Sequence, residues 1–193
     1  MTREKVILPE AEIAKLRDIT RRAEFTPADT HGEYRKIDII SEYIDTYLED
    51  FKNKGKGLKV VVDSANATAG VVAPQLYKQM GCEVVELYSE PDGDFPNHHP
   101  NPSDPVTLED LKQKVIETNA DFGMAFDGDS DRIGIVDNKG VSISGDQLML
   151  IFALDILNKT EDKTPTFVSE VKCSQLLYDT IEKNGGRAIM WKT

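Results

Sequence analysis

The chain has 193 residues, of which 34 are acidic and 23 basic, giving a formal net charge of −11; this is length for one domain with part of a second. A hydrophobic content of 39% and a charged content of 30% are those of an ordinary globular protein that dissolves in water. The charge excludes nucleic acid as a partner, because no basic face could offset phosphate repulsion, but it leaves anionic small molecules open, since a metal and a few cations reverse the sign locally.

The first ten residues mix charges and hold no apolar core of a signal peptide, and the longest apolar run, Leu148 to Leu154, is too short to cross a bilayer. A cytoplasmic protein without a membrane partner is expected. Cys82 and Cys173 form no CxxC pair, which fits a reducing compartment with both thiols buried as small apolar groups.

In chain order, residues 8–22 read as a helix behind Pro9, with Ile13, Leu16 and Ile19 at helical spacing. Residues 23–36 read as a linker, and 37–52 as a second helix whose stripe of Ile40, Tyr43, Ile44, Tyr47, Leu48 and Phe51 is core packing. A Lys/Gly turn precedes a continuous apolar strand over 58–62. The small-residue stretch from Asp63 to Gly70 then leads into a helix over 71–80, where Pro74 is tolerated only in the first turn. That stretch is compatible equally with a phosphate-cradling turn and with close packing of helix on sheet.

A strand over 82–88 follows, then a long proline-rich loop over 89–105. Long ordered loops in compact domains are often functional. Its adjacent His98 and His99 lack a third nitrogen or sulfur ligand nearby, so the loop reads as a hydrogen-bonded wall and not a zinc site. Thr107, with Asp110 three residues on, resembles a capping box that opens a helix to Thr118. A strand over 122–126 and a hairpin of 133–136 with 141–143 come next. Gly145-Asp146 caps a helix over 147–157 that is apolar almost all round and should be buried on most of its surface. A strand (166–171), a helix (174–183) and a strand (187–191) complete the chain. The pattern is α/β, a mixed sheet flanked by helices followed by an incomplete second α/β domain, and a stop directly after a strand reads as a cut.

Between the strands at 126 and 133 lies Asp127-Gly128-Asp129-Ser130-Asp131-Arg132. Three carboxylates at alternate positions repel unless a cation compensates them, and three hard oxygen donors suit Mg²⁺. An EF-hand loop would need glycine sixth and glutamate twelfth, where Arg132 and Asn138 stand. A haloacid-dehalogenase-type phosphatase would need threonine after its second aspartate. A plain solvated acidic turn would not explain Arg132, a fixed cation suited to holding a phosphate beside a metal.

Several stretches carry a family resemblance: Phe126 through Arg132, Val60-Val61-Val62-Asp63-Ser64-Ala65-Asn66, Phe95-Pro96-Asn97-His98-His99-Pro100-Asn101-Pro102, Glu170-Val171-Lys172-Cys173 and Met190-Trp191-Lys192-Thr193. Together, from about Lys36 onward, the chain resembles the α-D-phosphohexomutase superfamily, in its bacterial phosphomannomutase/phosphoglucomutase branch. The resemblance implies four domains around one cleft, and a phosphoryl group moved between the 1- and 6-positions of a hexose phosphate through a bisphosphorylated sugar. It implies Mg²⁺ on Asp127, Asp129 and Asp131, facing a phosphoserine of the first domain that Arg132 also contacts. Lys172 would enter the cleft from the third domain, to assist proton transfer or neutralise phosphate charge. On this reading residues 1–36 are the last helix and linker of the first domain, 37–143 the second domain, and 144–193 the start of the third. The Ser-His-Asn-Pro phosphoserine segment of the family does not occur here, so the chain alone is expected to be inactive. Its uncovered carboxyl-terminal part is expected to favour a homodimer. The other class is a self-sufficient sugar-phosphate or metal-binding module without catalysis.

Overall fold

The computed structural model describes residues 7–26, 30 and 32–192, which divide into two compact units at residues 38 and 39. The first unit holds one helix, α1 (Glu10–Arg22), with acidic residues in its first turn, basic ones in its last and no buried side chain. Ile13, Leu16 and Ile19 are exposed on it. Of the expected linker, residues 27–29 and 31 lie outside the described residues.

The second unit begins with α2 (Ile40–Phe51), which starts three residues later than periodicity alone suggests, with Ile39 as N-cap. It continues through β1 (Lys59–Asp63), a 3₁₀ turn (Thr68–Val71), α3 (Ala73–Gln79), β2 (Glu83–Leu87) and a second 3₁₀ turn (Pro105–Leu108). Next come α4 (Glu109–Thr118), β3 (Phe122–Phe126), β4 (Ile133–Asp137) and β5 (Ser142–Ile143). The sheet order is β2-β1-β3-β4-β5; β1 pairs parallel with β2 and β3, while β3–β4 and β4–β5 are antiparallel. This is the mixed sheet the sequence predicts.

β1 is an interior strand between β2 and β3, and Val60, Val61 and Val62 are all fully buried. Side chains alternate across a strand, so Val61 faces Leu108, Leu111, Val115 and Val136 on one side, while Val60 and Val62 face Ala69, Ala73 and Met124 on the other. Each such valine contributes roughly 1.5–3 kcal/mol of burial. Gly123 on β3 lets α4 approach, because a Cβ there would lie 2.6 Å from Leu111 Cδ1 and 2.7 Å from Val115 Cγ2.

Beyond β5 the chain forms α5 (Gly145–Lys159), β6 (Thr166–Glu170), α6 (Gln175–Lys183) and β7 (Arg187–Trp191). β6 and β7 make a two-stranded parallel sheet, and Ala153, Leu177 and Ile181 form a small core against it. Both cysteines are free and only half-buried.

Four local expectations change. Of the α2 stripe expected as core only Ile44 is buried, and Tyr43, Tyr47 and Phe51 are exposed. Thr107 does not cap α4: it lies inside the 3₁₀ turn that leads into the helix, that turn is capped by Asp104, whose carboxylate accepts from the Val106 amide 3.0 Å away, and α4 itself starts after Leu108 with no side-chain cap. The Thr107 hydroxyl instead donates to the Asn101 and Asp104 carbonyls, and Asp110 accepts from Tyr88 Oη. Ser144, not Gly145-Asp146, caps α5, with its amide donating to Gln147 Oε1 at 3.0 Å. Finally, α5 is not mostly buried: of its residues only Ala153 is enclosed, while Ile151, Phe152 and Ile156 are about half exposed. The small β6–β7 layer with α6 covers one face of α5 and leaves the others in water.

Candidate metal centre

The acidic loop is the connection of the β3–β4 hairpin. The Asp127 amide donates to the Arg132 carbonyl (3.3 Å) and the Ser130 amide to the Asp127 carbonyl (3.1 Å), with Ser130 in left-handed conformation at φ 63°. Two antiparallel strands flank it, so neither the helix–loop–helix of an EF-hand nor the strand–loop–helix of a phosphatase nucleophile is present.

One carboxylate oxygen each from Asp127, Asp129 and Asp131 lies within 4.8 Å of the others. Asp127 is buried; Asp129 and Asp131 are exposed. Asp127 Oδ1 accepts from the Arg132 amide (2.9 Å) and Oδ2 from Arg132 Nε (2.8 Å). Burial pushes this carboxyl up, but the Arg132 amide, side chain and charge together outweigh it and hold Asp127 below the ordinary carboxylate range. Asp131 moves the other way, because the charges of Asp129 and Asp127 raise it. That opposition fits a divalent cation, which would relieve the repulsion. The bonds to Arg132 do not forbid one, since each carboxylate oxygen keeps a second lone pair.

Arg132 also donates from Nη1 to Asn101 Oδ1 at 3.2 Å. Among the described residues two of its five N–H donors are thereby used, and three remain for an anion. Lys172 is the residue the structure does not bring to this group. It lies on the turn between β6 and α6, strongly exposed, with Nζ 3.7 Å from Glu170 Oε2. Among the described residues it forms no ion pair or hydrogen bond with the acidic loop. The Asp146 carboxylate, accepting from the Ser174 amide at 2.8 Å, ties this turn to the start of α5.

Two further segments hold the acidic loop. From the β1–α3 connection, Thr68 Oγ1 donates to the Gly128 carbonyl (3.0 Å) and lies 2.8 Å from Ser130 Oγ. Most of that connection is engaged in close packing of helix on sheet. The amides of Ser64, Ala65, Asn66, Ala67 and Gly70 are all spent on neighbouring groups, and a Cβ at Gly70 would meet the Ser89 carbonyl oxygen at 1.9 Å.

The second support is the proline-rich loop, and it is the hydrogen-bonded wall expected. Asn66, at φ 55°, is its peg: Nδ2 donates to the Glu90 carbonyl, Oδ1 accepts from Asn97 Nδ2, and its carbonyl accepts from the Asp92 amide. His98 Nε2 lies 3.0 Å from Oδ2 of the fully buried Asp63, and Asn101 reaches Arg132. Spacing offered no way to find Thr68, Asn66 or Asn101, because their partners are 60, 24 and 31 residues away. Asp63, a carboxylate directly after three buried valines, was an available signal, and Asn66 and Asn101 stand in stretches that carry the family resemblance.

Beside the loop runs an apolar groove of about 520 Å³ bordered by Tyr43, Tyr47, Tyr77, Phe126 and Asp129. No helix among the described residues is long and apolar enough to cross a membrane.

Comparison with known proteins gives a consistent result. Residues 41–140 match the family model described as phosphoglucomutase/phosphomannomutase, alpha/beta/alpha domain II, and residues 144–193 match that of domain III. A phosphomannomutase/phosphoglucomutase of Pseudomonas putida is 50% identical over 162 residues, 84% of this chain and 34% of the relative. A phosphoglucomutase of Neisseria meningitidis is 40% identical over 181 residues, 94% of this chain and 39% of the relative. Among solved structures, a phosphoglucomutase/phosphomannomutase family protein from Burkholderia thailandensis superposes with a TM-score of 0.84 at 36% identity, over 96% of this chain and 40% of that one. The chain thus spans well under half the length of the relatives it matches.

Proposed function

This chain belongs to the phosphoglucomutase/phosphomannomutase family, and on that premise we propose that it is the cation-binding portion of a phosphohexomutase. The parent reaction is the transfer of a phosphoryl group between the 1- and 6-positions of a hexose phosphate through a bisphosphorylated intermediate. The division at residues 36 and 143 into the end of a first domain, a second domain and the start of a third is part of this reading.

The observation that carries it is the convergence of Asp127, Asp129 and Asp131 beside Arg132. Phosphoryl transfer depends chiefly on positioning and on compensating charge over the phosphate oxygens. Mg²⁺, when bound, supplies that compensation. Asp127, Asp129 and Asp131 would hold it, with Asp127 fixed in place by Arg132. The free N–H groups of Arg132 would orient a phosphate, and two bonds to Asp127 and Asn101 keep the guanidinium from swinging away. Lys172 is assigned by family resemblance to a second cationic role in the cleft, after displacement of its weak pairing with Glu170. With no phosphoserine segment in this sequence, the chain alone is inactive on this reading. Free cysteines and the strongly acidic balance support a cytoplasmic protein that does not bind nucleic acid, and the exposed apolar side chains of α5 support self-association.

The test is titration of the chain with Mg²⁺ and Mn²⁺, following the amide resonances of residues 127–132, alongside an assay with glucose 1-phosphate. Saturable shifts confined to the loop, abolished by Asp129→Asn with Asp131→Asn, are expected, together with no turnover. Absence of binding at millimolar cation sinks the metal assignment. Turnover by the isolated chain sinks the assignment as one portion of the catalyst.

A further inference from the structure

A run of hydrogen bonds joins the carboxyl end of β1 to the acidic loop. It starts at Asp63, the fully buried last residue of β1, whose Oδ1 accepts from the Ala65 amide at 2.9 Å and whose Oδ2 lies 3.0 Å from His98 Nε2. His98 Nδ1 lies 3.1 Å from the His99 carbonyl oxygen. The same carbonyl accepts from the Asn101 amide at 2.8 Å, and Asn101 Oδ1 accepts from Arg132 Nη1 at 3.2 Å. Arg132 Nε then closes on the metal-loop carboxylate of Asp127 at 2.8 Å.

The chemistry of the two ends fixes the state of the ring. A carbonyl oxygen can only accept, and so can a carboxylate, so an imidazole held between them is fully satisfied only when both nitrogens carry protons. Loss of a proton leaves a ring lone pair facing an oxygen lone pair at one of the two contacts. The charged groups around the ring agree. From β1 it faces Asp63; Tyr88, at the end of β2, meets it edge-on at 5.5 Å; and Asp110 of α4 is tied to that tyrosine by a 2.7 Å bond. No cation faces it among the contacts described. The Asp63 bond holds His98 above the ordinary imidazole range against the opposing effect of burial.

We propose that His98, held as an imidazolium between Asp63 and the His99 carbonyl, is a positioning residue for Arg132 and, through it, for Asp127. The loop that carries it is otherwise held by hydrogen bonds, so the protonation of one ring outside the acidic loop sets where the guanidinium points. The pH sensitivity this gives to cation binding rests on the assignment of the acidic loop as the cation site; the positioning of Arg132 does not.

The experiment uses the full chain labelled with nitrogen-15, with the His98 ring and Arg132 Nε–H resonances followed across neutral pH, and Mn²⁺ affinity measured on either side of the transition. The two resonances are expected to move with one shared midpoint above the ordinary histidine value, and Mn²⁺ to bind about fivefold more weakly above it, the low end of coupling between sites. His98→Gln should remove the transition from Arg132. Asn101→Ala, which breaks the run one link later and spares the buried pair, should leave the His98 titration intact while Arg132 and Mn²⁺ affinity no longer follow it. An Arg132 resonance that stays still while His98 titrates overturns the proposal, as does one that still titrates in Asn101→Ala. Coupled resonances without Mn²⁺ binding at any pH would uphold the positioning role and reject the metal assignment.

Discussion

Gly70→Ala is the substitution whose cost the geometry fixes most directly. Gly70 lies in the 3₁₀ turn between β1 and α3, and a Cβ there would stand 1.9 Å from the Ser89 carbonyl oxygen and 2.7 Å from its carbon. Contacts under 3.0 Å are essentially never seen, so the two backbones must part by about 1.1 Å, the difference of those distances. Neither partner is a flexible side-chain tip. The turn is pinned by the Gly70 amide on the Ala67 carbonyl, and Ser89 follows Tyr88, whose carbonyl accepts from the Asn66 amide. Overpacking of this kind costs about 3 kcal/mol at the upper end of its usual range. For a protein of this size that lowers Tm by roughly 6–12 °C. The same shift moves Thr68, which holds the Gly128 carbonyl, so cation affinity should fall with stability. Thermal unfolding followed by circular dichroism, with Gly93→Ala as a control that meets nothing within 4 Å, measures the first effect. If Gly70→Ala melts with Gly93→Ala and wild type, the account of this connection as a close-packed strut is wrong.

Asp127→Asn should lower stability by about 1 kcal/mol, a charge-assisted pair discounted because Arg132 is half exposed, and should abolish Mn²⁺ binding; unchanged calorimetric titration would refute the assignment. The elevated His98 value predicts a signed pH effect. Its stabilisation is complete below about 6.5, the unperturbed value, and is lost as pH rises through the higher folded midpoint, so denaturant midpoints should decline over that window and the decline should vanish in Asp63→Asn. His98→Ala leaves the buried Asp63 carboxylate unpaired and should cost about 3–5 kcal/mol, measurable by urea unfolding; a loss under 1 kcal/mol, about the worth of a surface pair, would show that the pair is not buried in solution. Phe152→Glu on the exposed side of α5 should reduce self-association in sedimentation experiments, and a wild-type chain that sediments as a monomer at every concentration would remove that expectation.

Much of this molecule could be read from short-range pattern. Alternation and apolar runs located β1, β3 and the β4–β5 hairpin, because strand periodicity and turn chemistry act over a few residues. Spacing put Asp127, Asp129, Asp131 and Arg132 on one loop, and the loop did bring the three carboxylates together. Helix ends were read less well. Thr107 mimicked a helix cap but lies inside a 3₁₀ turn that Asp104 caps one turn earlier, and α4 itself carries no side-chain cap.

What the sequence determined by itself was the sheet and the cluster of charges on a single hairpin, both consequences of neighbouring residues. Only the tertiary structure decided how that cluster is held. Thr68 reaches it across 60 residues and Asn101 across 31, and Asp63 finds His98 across 35. Such bonds depend on strand order and loop path, and no local preference encodes them. The same holds for α5, whose apolar surface promised burial: how much of a helix is covered depends on the layers packed around it, and here those layers cover one side.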